Sequence, residues 1–294
     1  MPEKRRPDGA LPPHPTLSGY YGRDEDRPDF VRRLFDSAAP DYDRIEGYMA
    51  FGWGRWYRRE ALARAGLFEG MRVLDVAIGT GLVAREAVRL AGGTSKITGL
   101  DPSAGMLAEA RRHLGVRGVL GIGERLPFSD DSFDFLSMGY ALRHLSDLAA
   151  TLREFRRVLK PGGTLCVLEL TRPENRLGYA ALRFYLRRVV PTFTRLRTRN
   201  REAELLMRYF WDTIETCVPP ERILTAMDEA GFVDVRRTLV IGLFSEYTGY
   251  KPGTRPTPPG PARKPERSNF FVRKMERWAV SGPTRPAVPG GASD

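Results

Sequence analysis

Apolar, β-rich runs alternate with helical patterns along most of this chain, and no other sequence feature restricts its fold as strongly. The strand-like runs are MRVLDVA, KITGLD, VRGVLGI, FDFLSMG and GTLCVLEL. Helical patterns such as LVAREAVRLA and LAATLREFRRVL separate them. Because this alternation is typical of parallel strands joined by crossover helices, the sequence predicts an α/β fold: a doubly wound, Rossmann-like, mostly parallel sheet with helices on both faces.

The alternation ends after Leu170. An arginine-dense, largely helical insert is predicted over residues 172–218, followed by one more helix and two strand-like runs, FVDVRRTLV and GLFSEYT. A strand pair after five alternating units predicts a seven-stranded sheet whose last strand runs antiparallel. We expect the insert to form a helical lid over one edge of this sheet.

The two ends of the chain differ from its centre in composition. Residues 1–28 and 253–294 are rich in Pro, Gly and Arg, a composition that buries too little apolar surface to offset the entropy of ordering. We therefore expect disordered tails around one domain over residues 29–252. Within the second tail, residues 268–280 place apolar side chains at helical spacing. This indicates an amphipathic helix that anchors at an interface or docks on a protein surface.

Cysteine content and hydropathy restrict the compartment. The two cysteines, Cys166 and Cys217, fall in runs typical of core or helix, so a disulfide framework is not expected. No apolar run approaches the roughly 20 residues that cross a bilayer, and the first residues have no signal-peptide pattern. We expect a cytoplasmic protein, and the sequence leaves open whether it forms a homo-oligomer.

A net charge of +11 favours contact with an anionic surface. Eight arginines and no acidic residue occur between Arg176 and Arg201, interleaved with apolar side chains. This pattern is typical of a segment that rests on an anionic membrane, here the inner membrane surface, and it also fits a lid with a solvated basic face. We do not expect nucleic acid as a partner, because the sequence has no zinc-binding or other recognisable nucleic-acid module.

A glycine turn follows the first predicted strand, which ends at Asp75. The turn contains Ala77, Gly79, Thr80 and Gly81. Glycines at this place let a ligand approach the backbone, and the following helix offers free N–H groups at its N-terminus. The second predicted strand ends at Asp101, where a carboxylate can accept both hydroxyls of a ribose.

Two classes of nucleotide cofactor fit this turn. Gly79-x-Gly81-x-x-Ala84 matches the dinucleotide fingerprint, which permits a nicotinamide-dependent oxidoreductase. However, Asp75 precedes Gly79 by four residues, a position that suits the ammonium group of an amino acid. One carboxylate for an ammonium and another, Asp101, for a ribose favour S-adenosylmethionine. Nothing in the sequence predicts a metal site.

Later segments agree with this choice. ERLPF at 124–128 and RVLKPGG at 157–163 resemble the later motifs of class I S-adenosylmethionine-dependent methyltransferases. The second segment also has a structural explanation. Pro and Gly are common where a helix ends and the chain turns into a strand. It therefore supports the fold more than the chemistry.

Four further segments are similar to the ubiquinone/menaquinone biosynthesis C-methyltransferase family. They are VRRLFDSAAPDYD at 31–43, MAFG at 49–52, LDVAIGTG at 74–81 and GYKP at 249–252. The resemblance implies an enzyme that methylates a ring carbon of a lipid-quinol, a polyprenyl benzoquinol or naphthoquinol. The positions that depart from the family are Glu46, Ile78, Ile122 and His144, where Asn, Gly, Asp and Asn are usual. A different aromatic or isoprenoid small molecule therefore stays open as the substrate.

The glycine turn and the resemblance together define the cofactor-binding candidates. They are Asp75, Ala77, Gly79, Thr80, Gly81, Asp101, Pro102, Met106, Gly123 and Glu124. Met106 opens the helix after the second strand and either packs on the adenine ring or belongs to the helix core. Since Ile122 replaces a carboxylate near the adenine, Gly123 and Glu124 are left to form that wall.

Two polar residues, Arg143 and His144, follow the fourth predicted strand. Open α/β sheets bind ligands at the carboxyl ends of their strands, so both residues are catalytic candidates. We expect Arg143 to stabilise the oxyanion that develops on a quinol, directly or through a water, and His144 either to act as a general base or to make a structural hydrogen bond. Tyr42, Asp43 and Tyr140 are candidates for lining the substrate pocket, and the alternative for Tyr42 and Tyr140 is a place in the core.

Overall fold

Seven strands form one sheet in the described residues, 10–49, 54–198 and 201–258, of this computed structural model. They are β1 (Val73–Val76), β2 (Ile97–Asp101), β3 (Arg117–Leu120), β4 (Phe133–Gly139), β5 (Leu159–Leu170), β6 (Val233–Val240) and β7 (Phe244–Tyr250). Their order is β3-β2-β1-β4-β5-β7-β6. β1 to β5 run parallel, whereas β7 pairs antiparallel with β5 and β6. The predicted Rossmann-like sheet with an antiparallel last strand is confirmed.

Helices cover both faces of the sheet and one of its edges. They are α1 (Arg27–Met49), α2 (Gly54–Arg64), α3 (Leu82–Ala91), α4 (Ala104–Leu114), α5 (Leu148–Val158), α6 (Arg176–Phe184), α7 (Val190–Thr198), α8 (Arg201–Thr216) and α9 (Pro220–Glu229). A π-helical turn over Tyr185–Val189 joins α6 to α7. The insert predicted over 172–218 is thus helical.

Strand periodicity divides the core into two layers. Because successive strand residues point to opposite faces, Leu74 and Leu136 pack with α5 and α9 on one side of the sheet. Val73 and Phe135 pack with α2 and α3 on the other side. A central strand buried on both faces needs apolar side chains at nearly every position, which explains why β1 reads as an unbroken apolar run except for Asp75.

A third apolar cluster joins α1 to α8. Leu34 and Ile45 of α1 pack against Leu206 and Trp211 of α8, and all four side chains are buried. The helical insert and α1 therefore form one packed layer above the carboxyl ends of the parallel strands. The lid role predicted for the insert is consistent with this position.

Part of the N-terminal segment that was predicted to be disordered is ordered in the structure. Residues 10–28 lie along the domain, and Leu11 and Tyr21 are buried. The carbonyl of Leu11 accepts a hydrogen bond from the Leu148 N–H at 2.9 Å. Composition predicted disorder for these residues. A Pro-rich segment can nevertheless remain extended and bury its few apolar side chains on a surface that is already folded.

The other end of the chain is described only as far as residue 258. The rest of the predicted tail, including the amphipathic helix over 268–280, lies outside the described residues, as do residues 1–9. Within the described residues, neither Cys166 nor Cys217 forms a disulfide. Among the helices that the structure describes, none combines the length and the apolar character that a membrane span requires.

Candidate active site

One cavity of about 660 Å³ opens at the carboxyl ends of β1, β2 and β4. Its position is the topological switch point, where the chain leaves β1 in one direction for β2 and in the other for β4. Pockets of about 300–1,000 Å³ accommodate a cofactor or a small substrate. α1 and the helical insert close it from above, so the wall combines loop residues of the sheet with apolar helix side chains.

The glycine turn after β1 forms the floor of the cavity. Ala77, Gly79 and Thr80 lie on the cavity wall. Gly79 has φ 56° and Ala77 has φ 54°, a left-handed conformation that is strained for Ala and is common at binding sites. Gly81, with φ 92°, faces away from the cavity, and a Cβ there would lie 2.5 Å from Leu114. The predicted contact of Gly81 with the cofactor is therefore not supported, and a glycine is needed there because a side chain would clash with Leu114.

Asp101 connects the end of β2 to this turn. One carboxylate oxygen accepts the Gly79 N–H at 2.9 Å and the other accepts the Ser103 N–H at 2.9 Å. Burial raises the pKa of Asp101 to about 6. Asp101, Pro102 and Met106 all lie on the cavity wall, so the structure brings these three predicted residues together with the glycine turn.

Asp75 does not face the cavity. Its carboxylate accepts a hydrogen bond from Ser137 Oγ at 2.7 Å, and the second oxygen is buried without a partner. Burial raises the pKa of Asp75 to about 7. The side chain lies beneath the turn, near the backbone N–H of Ala84, because Asp75 is in register with Ser137 on β4. The geometry does not support the predicted direct contact between Asp75 and an ammonium group.

Gly123 and Glu124 lie on the cavity wall, and their contact with the adenine stays a prediction. The Glu124 carboxylate accepts the Ser146 N–H at 2.7 Å, which connects this wall to the loop after β4. Ile122 is also on the wall and half exposed, in the place where the family usually has an acid.

Two carboxylates of helix α1 connect it to the glycine turn and to the start of α4. Asp36 accepts hydrogen bonds from Ser103 Oγ at 2.6 Å and from the Gly105 N–H at 2.9 Å. Asp43 accepts a short hydrogen bond from Thr80 Oγ1. Sequence reasoning missed Asp36, although it lies in the segment 31–43 that carries the family resemblance, because no local pattern links it to the start of α4.

The cavity wall also contains both predicted substrate residues and one of the two predicted catalytic residues. They are Tyr42, Tyr140 and His144. Tyr140 has φ 60°, a second strained non-glycine residue directly after a parallel strand. The predicted pocket-lining role of the two tyrosines agrees with their positions.

His144 is a neutral imidazole in this environment. Its ring lies 5.3 Å from that of Phe35 and stacks at 5.5 Å on Tyr209, and neither ring nitrogen has a hydrogen-bond partner. Burial and the neighbouring Arg143 hold the pKa of His144 well below its usual value of 6.5. A base this weak is poorly matched to proton abstraction at neutral pH, so the site favours a hydrogen-bonding role over the general base.

Arg143, the other predicted catalytic residue, lies behind the cavity wall. It forms a short, buried ion pair with Glu169, and its Nε donates to Thr213 Oγ1 at 3.1 Å. Adjacent residues of a 3-10 turn point in different directions, so His144 reaches the cavity and Arg143 does not. The geometry does not support the predicted direct contact with a substrate oxyanion.

A different arginine does reach the cavity. Arg58 of α2 lies on its wall and forms a short ion pair with Glu46 of α1. Glu46 was noted only as a departure from the family, and Arg58 was not predicted at all. Its sequence context, RWYRRE, resembles any basic helix face. Only the folded structure shows that its side chain reaches Glu46 and the Tyr140 ring.

The fold and the site together define an S-adenosylmethionine-dependent methyltransferase. The turn around Gly79 offers an uncovered backbone, and a buried acid at the end of β2 reaches the same cavity, so the residues present fit an adenosyl cofactor. The chain belongs to the ubiE/COQ5 methyltransferase family, whose sequence model matches residues 22–251.

Known relatives agree with this assignment. The ubiquinone/menaquinone biosynthesis C-methyltransferase UbiE of Shewanella halifaxensis is 32% identical over 77% of this chain and 92% of its own length. The UbiE protein of Cellvibrio japonicus is 32% identical over 78% of this chain and 94% of its own length. A possible histamine N-methyltransferase of Thermotoga maritima has the same fold, with a TM-score of 0.54 and 23% identity over 75% of this chain and 99% of its own. A putative S-adenosylmethionine-dependent methyltransferase of Methanococcus maripaludis also has this fold. Its TM-score is 0.54, and it is 19% identical over 76% of this chain and 96% of its own.

Proposed function

We propose that this protein methylates a ring carbon of a polyprenyl benzoquinol or naphthoquinol in ubiquinone or menaquinone biosynthesis. One observation carries this proposal: the glycine turn shares one cavity with a mostly apolar second half that contains a neutral imidazole. A prenylated quinol has the matching parts, an apolar tail and a ring hydroxyl. The relatives named C-methyltransferases of quinone biosynthesis support the same substrate class.

The chain has to hold the acceptor ring and exclude water. S-adenosylmethionine, when bound, supplies a methyl group on a positively charged sulfur. His144 is suited to accept a hydrogen bond from a ring hydroxyl, since both of its nitrogens are free. Such a bond increases electron density at the neighbouring ring carbon. Tyr42, whose pKa burial raises to about 12, stays protonated and is suited to donate a hydrogen bond.

The inner side of the insert supports a place for the prenyl tail. Leu182, Tyr185 and Leu186 lie on the cavity wall and continue its apolar half toward the surface. These residues belong to α6 and the π-helical turn, so the tail path leads to the outer face of the same helices.

That outer face supports contact with an anionic membrane. It carries exposed apolar side chains, which we call the outer lid face: Leu177 (83% exposed), Phe184 (64%), Phe193 (50%) and Leu196 (72%). Arg183, Arg187 and Arg188 are exposed beside them. Exposed apolar side chains with arginines nearby in the same helices match a bilayer with acidic headgroups, from which a lipid-quinol has to enter.

The methyl-transfer assay tests the proposal directly. Purified protein is incubated with methyl-labelled S-adenosylmethionine and reduced quinones that lack the ring methyl group, with and without a prenyl chain. We expect label on the ring carbon of the prenylated quinol. Transfer only to another aromatic or isoprenoid small molecule, or no accumulation of demethylated quinone in a strain lacking the gene, would reject the lipid-quinol substrate.

A further inference from the structure

Arg58 is a buried cation with unused hydrogen-bonding capacity. Its side chain is 4% exposed and lies on the cavity wall. One terminal nitrogen, Nη2, donates to Glu46, whereas Nε and Nη1 are buried and have no hydrogen-bond partner among the described residues. Buried donors are nearly always paired, so two free N–H-bearing nitrogens on a cavity wall indicate a ligand oxygen that the site is built to receive.

The other cations around the cavity are placed differently. Arg32, the second arginine on the described wall, is half exposed and pairs with Asp29 at 3.1 Å. Arg143 is behind the wall and paired with Glu169. Within the described residues, Arg58 is therefore the one buried cation that faces the cavity.

The surroundings of Arg58 fit an aromatic oxyanion. The guanidinium carbon lies 5.6 Å from the centroid of the Tyr140 ring, which holds the planar group against an aromatic face. Glu46 joins Arg58 from α1, so the pair connects α1 to α2 at the cavity wall. Glu46 is thus a positioning residue, and it offsets the cost of burying the charge while no ligand is present.

We propose that Arg58 binds a ring hydroxyl oxygen of the acceptor as its phenolate, through the two free nitrogens of the guanidinium. The O–H bond breaks, the electron pair stays on the oxygen and the proton is released to water. The negative oxygen makes the adjacent ring carbon a stronger nucleophile, because its charge is delocalised into the ring. This inference deepens the proposed quinol methylation and rests on it.

Replacement of Arg58 tests the proposal through a pH profile. Arg58→Met should lower kcat/KM for the quinol by about 10²–10³-fold at pH 7, the loss typical of removing one oxyanion-stabilising donor. The deficit should shrink to within about tenfold near pH 10, where a phenol with an ordinary pKa of about 10 ionises without help. Arg55→Met is the matched control, since Arg55 is on the same helix and half exposed, with Glu86 at 3.6 Å as its partner.

Binding of the cofactor product and folding are measured on the same variants. Adenosylhomocysteine should bind Arg58→Met and wild type equally in calorimetry, and both control and wild type should keep full activity. If Arg58→Met does not fold, Arg58→Lys replaces it, because Lys retains the charge but not the fork, and an intermediate loss with the same pH trend is expected. A loss of kcat/KM that stays constant from pH 7 to pH 10, or no loss at all, would overturn the proposal.

A chromophoric phenol separates this inference from the substrate assignment. With adenosylhomocysteine bound, wild type should take up 4-nitrophenol as the yellow phenolate and lower its apparent pKa, whereas Arg58→Met should not. Equal titration curves for the two proteins would reject the oxyanion role of Arg58. If wild type shifts the probe but methylates no quinol, the proposed substrate fails while the oxyanion site stands.

Discussion

Arg143 and Glu169 form an ion pair that is sealed from solvent, with both side chains almost completely buried. The pair joins the turn after β4 to the end of β5, and Thr213 of α8 completes it through a hydrogen bond to Arg143 Nε at 3.1 Å. The Phe210 ring covers the guanidinium at 4.1 Å. Sheet and insert are thus connected by one charged contact behind the cavity wall.

Arg143→Met should therefore act first on stability. Removing one partner of a buried pair leaves an uncompensated charge and costs about 3–5 kcal/mol. The double variant Arg143→Met/Glu169→Leu should recover most of that loss, because no charge is then left buried. Urea unfolding measures both. If Arg143→Met is as stable as wild type but inactive, the direct catalytic role predicted from the sequence would be restored.

The sheet and the Gly79–Asp101 part of the site could be predicted from the sequence because both follow from local strand and turn patterns. Asp101 and Gly79 are brought together by a strand end and the turn beside it, which are local features of a parallel sheet. Asp75 was different: β1 is buried on both faces, so alternation does not reveal which way its carboxylate points. Arg58 faces the cavity through its contacts with Glu46 and Tyr140, which are distant in sequence and leave no mark in the local pattern.

The buried acid Asp75 predicts a pH-dependent stability of the protein without cofactor. Its pKa rises from 3.8 to about 7 on folding, so the folded chain holds a proton that the unfolded chain has released. This stabilisation is complete below about pH 4 and is lost as the pH rises through about 7, at up to about 1.4 kcal/mol per pH unit.

Asp75→Asn should flatten this slope, because the amide does not titrate. The measurement is the free energy of unfolding in urea at pH 5, 6, 7 and 8 for both proteins. Wild type should lose stability relative to the variant as the pH increases. A difference between the two proteins that is the same at every pH would show that Asp75 is ionised throughout.

Replacements of His144 should separate hydrogen bonding from proton abstraction. The family residue Asn retains an acceptor, so His144→Asn should keep kcat/KM within about tenfold of wild type, whereas His144→Leu should lose about 10–100-fold because the hydroxyl is left without a partner. The imidazole NMR signals that are present in wild type and absent from His144→Asn belong to His144. At pH 6.5 these signals should be those of a neutral ring. An activity limb near pH 6.5 that disappears in His144→Asn would instead identify a general base.

Ile78 occupies space that Gly99 leaves open on the neighbouring strand. A Cβ on Gly99 would overlap the end of the Ile78 side chain, so Gly99→Ala should destabilise the protein by about 1–3 kcal/mol. Ile78→Ala makes room for that methyl group. The two changes together should be less costly than their sum by about 0.5–3 kcal/mol. Urea unfolding of the four proteins gives this coupling, and strict additivity would show that the two positions do not compete for space.

The outer lid face predicts binding to acidic bilayers. Replacing Leu177, Phe184 and Leu196 together by Ser removes apolar area that contributes about 25 cal/mol per Å² when it leaves water. Binding of the full chain to phosphatidylglycerol vesicles should weaken at least about tenfold, and added salt should weaken wild type as well, because the arginines contribute. Leu120→Ser is the control, since Leu120 is 62% exposed at the end of edge strand β3, outside the helical insert.

Activity measurements distinguish docking from catalysis on the same variants. The triple Ser variant should methylate a short-chain quinol in solution as fast as wild type, because the replaced side chains point away from the cavity, and should be slow only on quinol embedded in vesicles. Flotation of a chain that ends at residue 258 shows what the remaining tail adds. If the triple variant floats with acidic vesicles as well as wild type does, the membrane contact lies elsewhere. Loss of binding in the truncated chain alone would then assign it to the segment that contains residues 268–280.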